Sequence, residues 1–247
     1  MIEYDIPRIF SGFPNLIAAQ STRLGGSSFP PYNSLNLGLN TDDAPKTVEQ
    51  NRRQFFSALG FSEHEVVGAY QVHGTRIHIA TKPEMLRGYD AFITQKKGLL
   101  LSVTIADCVP VLIYDSGNQV IAAIHSGWKG TARKITTATL QKMTADFGTK
   151  PADCFVYIGT SICAKTFEVD EDVAQYFSAS YKYKDEARQK YLIDLRRHNH
   201  DQLLAQGVLP ENIEVSTHST VLDNNRYFSY RKEKGTTGRM LAVIGLI

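Results

Sequence analysis

"SVTIADCVPVLIYDSGNQVIAAIHSG", running from Ser102 to Gly127, decides the fold. Leu99–Thr104, Val109–Tyr114 and Val120–Ile124 are apolar runs rich in β-branched residues and parted by Asp, Gly and Asn, so each reads as a buried strand. Reactive side chains stand where the runs break: Cys108, beside Asp107, lies between the first two, and His125 ends the third. The end of a buried strand is where a sheet presents a side chain to a cleft, so a titratable ring at that point implies a site.

Working outward, strand-like runs recur at Val66–Tyr70, Arg76–Ala80, Ala91–Thr94, Phe155–Ile158, Ile213–Val215 and Leu241–Ile244. Apolar positions spaced three and four residues apart predict helices over Thr47–Leu59, Thr131–Phe147, Asp170–Phe177 and Asp194–Gln206, with Gly60, Gly148 and Gly207 where helix C-termini end. No Pro/Gly/Ser-rich linker or charge block divides the chain. The expectation is an α+β fold: a single domain over residues 1–247, with layered mixed β-sheets flanked by helices.

Composition narrows the function. The 27 basic and 25 acidic residues are well mixed, leaving no basic stripe for nucleic acid, so a small molecule is the expected partner. The N-terminus lacks the basic and apolar regions of a signal peptide, and no apolar run approaches the length of a membrane span. A cytoplasmic protein, with no membrane partner, is expected. The three cysteines, Cys108, Cys154 and Cys163, form neither an even set nor a CxxC pair, which argues against a disulfide framework or a local zinc knuckle.

A third reactive residue occupies the same kind of junction. In "AYQVHGTRI", His73 follows an apolar run and precedes Gly74. If the three strands shared a sheet, its edge would gather His73, Cys108 and His125, two imidazoles and a thiolate, a borderline-soft donor set suited to zinc. Three protein ligands leave a fourth position open, as catalytic sites do. The other histidines read as ordinary: His64 at a polar helix start, His78 alternating along a strand, His198 and His200 in a charged helix. His218, in "STHST", is ambiguous.

The segments "QVHGTRI", "ADCVPVLIYD", "AAIHSGWKGTARKI" and "YFSYRKEKGTTGRM", preceded by "NSLNLGLNTDDAPKTVEQNRRQF", resemble the laccase-domain purine nucleoside phosphorylases, also called the YfiH, polyphenol oxidase or peptidoglycan-editing-factor family. The resemblance spans nearly the whole chain, and several separated motifs in order make it specific. It implies that His73, Cys108 and His125 bind zinc. It also implies that Arg52, of the pair Asn51-Arg52, lines the active site, where its guanidinium suits phosphate. Two departures stand out. "HSGWKGT" replaces the commoner "HAGWRGT", placing Ser126 and Lys129 in the third motif, and Gly159-Thr160-Ser161-Ile162 replaces "GPSI". Lys129 lacks the bidentate fork, so any substrate contact it makes would be altered. Glu168, in "FEVDEDV", is a candidate pocket carboxylate or a helix-entry residue.

The resemblance implies phosphorolysis of adenosine, inosine, guanosine and methylthioadenosine, and deamination of adenosine. Nucleoside and phosphate would then be the partners of a monomer or small homo-oligomer. Asp107 is the available proton-shuttling carboxylate, or else a group that supports the neighbouring ligand. Two other classes stay open. One is a hydrolase with Cys108 as nucleophile activated by His73 or His125, acting on peptidoglycan precursors. The other is a copper-dependent polyphenol oxidase, although multicopper electron transfer needs more histidines than this set supplies. A closed structural zinc wants a fourth protein ligand that the motifs do not offer.

Overall fold

Alternation along Val120–Ser126 sets the order of the layers. In the computed structural model, which describes residues 1–247, this strand is buried at every position. Val120, Ala122 and Ile124 pack with Ile135, Leu140 and Met143 of the helix Ile135–Phe147. Ile121 and Ala123 pack instead with Leu101, Val103, Ala242 and Ile244, which belong to another sheet. Successive side chains of a strand point to opposite faces, so this sheet is covered by helices on one side and by a second sheet on the other.

The first sheet runs in the order Tyr4–Asp5, Leu16–Ser21, Met240–Leu246, Leu100–Ile105, Val66–Tyr70, Glu84–Arg87. The second runs Ile213–Val215, Cys154–Ile158, Val109–Asp115, Val120–Ser126, Ala91–Thr94, Ile77–Ile79. Both are mixed: Val66–Tyr70 lies parallel to both of its neighbours in the first, and the two outer pairs of the second are parallel. Phe55 and Phe56 of the helix Pro45–Ala58 bury against Val66, Leu100, Leu241 and Val243 on the outer face of the first sheet. A small sheet of Glu168–Val169, Lys190–Ile193 and Lys182–Asp185 stands apart from these two. The arrangement is α+β, layered as helix, sheet, sheet, helices. No helix is long and apolar enough to cross a membrane.

All nine expected strands form, with ends displaced by no more than two residues. Two differences have physical causes. Leu16–Ser21 forms a strand that its own composition, with two alanines and a glutamine, does not announce, because it pairs along its length with Met240–Leu246. The helix expected over Thr131–Phe147 is two helices, Trp128–Ala132 and Ile135–Phe147, broken where Lys134 takes a left-handed conformation with φ 59°. The break lets the first helix start directly after the strand carrying His125, while the second turns to lay Ile135, Leu140 and Met143 on the sheet.

Candidate metal centre and its cavity

His73, Cys108 and His125 each offer one donor atom, and these atoms lie within 4.8 Å of one another. The strands that deliver them do not share a sheet. His73 follows Val66–Tyr70 of the first sheet, His125 belongs to the last turn of pleat in Val120–Ser126 of the second, and Cys108 sits where the chain leaves Leu100–Ile105 in one and enters Val109–Asp115 in the other. The cluster is therefore built at the seam between two packed sheets, not along one edge.

The backbone is strained at His73 and immediately before Cys108. His73 has φ 56° and Asp107, next to Cys108, has φ 93°, a region that non-glycine residues seldom occupy and that clusters at functional sites. Asp107 is held there by its own side chain. Its Oδ1 accepts from the Thr220 hydroxyl at 2.6 Å and the Ser229 hydroxyl at 2.7 Å, and its Oδ2 accepts from the Arg231 amide at 2.7 Å. With both oxygens engaged, this carboxylate ties the Cys108 turn to the C-terminal loops.

Gly127 shows how tightly the donors converge. A Cβ placed on it would lie 2.8 Å from His73 Nδ1, 3.0 Å from Cys108 Sγ and 3.7 Å from His125 Cε1. Only a residue without a side chain leaves the space between the donors clear. That space, ringed by two imidazoles and a thiol, fits a zinc-type ion in size and donor chemistry.

Asp90 is a residue that reading along the sequence did not single out. Fully buried, it places Oδ1 2.9 Å from His125 Nδ1 and accepts backbone N–H groups from His73 and Gly74 at 2.9 and 2.8 Å. Burial alone would raise the Asp90 carboxyl, but the hydrogen bond and charge of His125 and the amides of Gly74 and Val72 hold it below its ordinary range. Desolvation likewise opposes ionisation at Cys108, yet the neighbouring imidazoles, His125 above all, bring its thiol down to about 6. In the absence of metal His125 is pushed up to about 9: desolvation lowers it, and the Cys108 thiolate and Asp90 outweigh that. The cluster favours a thiolate, the form of cysteine that binds metal.

The donors open into a cavity of about 490 Å³, lined on other sides by Leu39, Asn40, Met85, Phe167 and Tyr230 and by three arginines, Arg52, Arg231 and Arg239. Arg52 is buried; its Nε donates to Glu63 at 2.9 Å and its Nη1 to the Leu37 carbonyl at 3.0 Å, while no protein acceptor takes Nη2. Asn51 beside it faces the other way, stapling the loop through Ser27, Ser28, Ser34 and Asn36. Arg239 is fastened by Nη1 alone, to the carbonyls of Thr237 and Gly238, which leaves Nε and Nη2. Arg231 and Arg239 come from the "YRKEKGTTGR" stretch, whose basic residues resemble a solvated loop until the fold closes it over the cavity.

Two candidates do not reach the cavity. Lys129 lies on the short helix with its ammonium 5.5 Å from the Trp128 ring. Glu168 pairs with Arg188 at 3.2 Å, and its backbone carbonyl, not its carboxylate, accepts from Arg231. Its neighbour Phe167 is the one that lines the cavity, since alternate residues of an extended segment face opposite ways. The remaining histidines lie outside the cavity lining: His78 pairs with Glu84, His200 with Asp201, and His198 stacks on Tyr181.

A sequence model of the family described as multi-copper polyphenol oxidoreductase laccase matches residues 17–247. The purine nucleoside phosphorylase of Deinococcus radiodurans is 39% identical over 238 residues, covering 94% of this chain and 91% of that protein. Purine nucleoside phosphorylase YfiH of Escherichia coli is 35% identical over 235 residues, covering 93% of each. Among solved structures, the hypothetical protein YfiH of Bacillus licheniformis superposes with a TM-score of 0.93 at 30% identity, over 99% of this chain and 96% of that one. With matches of this length on both sequence and structure, the chain belongs to the laccase-like family of YfiH- and YlmD-type proteins.

Proposed function

We propose that this protein is a zinc-dependent purine nucleoside phosphorylase, acting on adenosine, inosine, guanosine and methylthioadenosine, and that it also deaminates adenosine. The observation that carries the reading is one cavity with the His73–Cys108–His125 donors on one side and the guanidiniums of Arg52, Arg231 and Arg239 around it. Its volume of about 490 Å³ is that of a small-molecule site. Relatives named purine nucleoside phosphorylase supply the substrate class.

Zinc bound there would supply Lewis-acid chemistry with an open coordination position. The protein's own part is to place the reactants. Arg52, pinned by Glu63 and Leu37, offers Nη2 to a phosphate oxygen without paying to order a long side chain. In phosphorolysis a phosphate oxygen bonds to C1′ of the ribose as the bond to the purine nitrogen breaks, and the guanidiniums offset the charge of the attacking anion. Asp107 holds Cys108 in place; its oxygens are committed to Thr220, Ser229 and Arg231. Neither Lys129 nor Glu168 has a part in this reading.

The test combines metal analysis with chromatography of products from adenosine across a phosphate series. Adenine and ribose 1-phosphate rising with phosphate, and inosine formed without it, are the expected products of a protein carrying about one zinc per chain. A fully zinc-loaded sample that yields neither adenine nor inosine would overturn the nucleoside reading. Full activity in a verified metal-free sample would favour Cys108 as a nucleophile instead.

A further inference from the structure

We propose that Asp90 is the positioning residue of the metal centre: one carboxylate that contributes no donor atom orients His125 and shapes the His73 loop, so that metal affinity depends on it. The inference rests on the metal reading above and is independent of the substrate.

The fold puts Asp90 there by register. Ala91 pairs with Ile124, so Asp90 lies beside His125 across the strand pair, and the His125 amide donates to the Asp90 carbonyl at 2.7 Å. The side chain then serves two ligands. Oδ1 lies 2.9 Å from His125 Nδ1 and accepts the His73 amide at 2.9 Å; Oδ2 accepts the Gly74 amide at 2.8 Å and faces that of Val72 at 3.4 Å. An ionised carboxylate only accepts hydrogen bonds, so the His125 ring must carry its proton on Nδ1. In the neutral ring this leaves Nε2 as the lone-pair donor. The same oxygens secure the amides on either side of His73, whose left-handed φ of 56° needs outside support. Partners of this kind, one atom beyond a metal's ligands, typically change affinity by about 10–100-fold when removed.

Asp90→Asn is the informative substitution, because it keeps the shape and turns one acceptor into a donor. Donors face both oxygens, so neither orientation of the amide satisfies His73 and His125 on one side together with Gly74 on the other. Asp115→Asn provides the control. Asp115 is another fully buried carboxylate of the second sheet, whose acceptors serve the Gly117 and Asn118 turn. Zinc affinity is measured by competition with a chromophoric chelator. The cobalt-loaded proteins report ligand geometry through their d–d and thiolate charge-transfer bands.

The expected result is a zinc dissociation constant raised about 10–100-fold in Asp90→Asn, with altered cobalt bands, and wild-type values for both in Asp115→Asn. Wild-type affinity and spectrum in Asp90→Asn would overturn the role of Asp90 while leaving the metal reading intact. A wild-type protein that does not bind zinc would overturn both. Should Asp90→Asn fail to fold, long-range ¹H–¹⁵N correlation of His125 in the zinc-loaded wild type decides: a proton on Nδ1 supports the proposal, and a proton on Nε2 refutes it.

Discussion

Gly127 and Arg52 carry the sharpest consequences at the scale of single residues. Gly127 has φ −67°, which any residue tolerates, so Gly127→Ala tests only the added methyl group. Because that methyl would sit 2.8 Å from His73 Nδ1 and 3.0 Å from Cys108 Sγ, the variant should fold but bind zinc at least about tenfold more weakly, read by chelator competition. Arg52→Ala should raise the phosphate KM by about 10–100-fold, the worth of a charge-assisted hydrogen bond, with metal content unchanged. Arg52→Lys should recover only part of this, since one ammonium nitrogen cannot stand in for the separate Nε and Nη1 that reach Glu63 and Leu37 and also present a planar fork to phosphate. A phosphate KM that does not move in Arg52→Ala assigns that role to Arg239 or Arg231. Legibility also differs residue by residue. His73, Cys108 and His125 were readable because each interrupts an apolar run at a strand end. Asp90 was not: an aspartate before a strand resembles a turn residue, and its partner His125 lies 35 positions away.

At the scale of elements, the strand that carries His125 is locked to the helical layer by its last residue. Ser126, pointing away from the site, shares a fully buried network with Thr131, Thr136 and Asn199 of the helix Leu195–Ala205. Asn199 Oδ1 accepts from both Ser126 and Thr136, at 2.8 and 2.7 Å. Asn199→Ala strips two buried hydroxyls of an acceptor and should cost about 2 kcal/mol or more. For a chain of this length that is a fall of about 4–8 °C in Tm, checked by calorimetry. A shift under a degree would show that packing alone holds the helix. Helix Leu195–Ala205 itself was legible from spacing, and in the structure the Asp194 side chain caps it by accepting the Arg197 amide. The break at Lys134 was not legible, because the residues around it keep helical spacing and only the geometry of the seam demands the turn.

For the whole molecule, the candidate centre joins both sheets of the sandwich, so a metal bound there would couple to folding. Zinc at about a hundred times its dissociation constant should stabilise the protein by about 2.7 kcal/mol, or about 5–10 °C in Tm. Differential scanning fluorimetry with zinc and with a chelator measures it. Cys108→Ala should abolish the shift, and an equal shift in that variant would place the metal elsewhere.

The amino-acid sequence by itself determined the α+β class, most of the strands, the main helices and the three convergent donor residues. Each of these is written in local periodicity, in strand-end chemistry, or in motifs that resemble a family. Tertiary structure alone decided that the three donor residues meet at a seam between two sheets, that Asp90 is hydrogen-bonded to His125 and to the His73 loop, that Gly127 clears the space among the donors, and that Arg231 and Arg239 rather than Lys129 and Glu168 wall the cavity. Those outcomes depend on strand register and sheet packing. Both are set by the burial of whole faces, a sum over many distant residues that no short stretch of sequence displays.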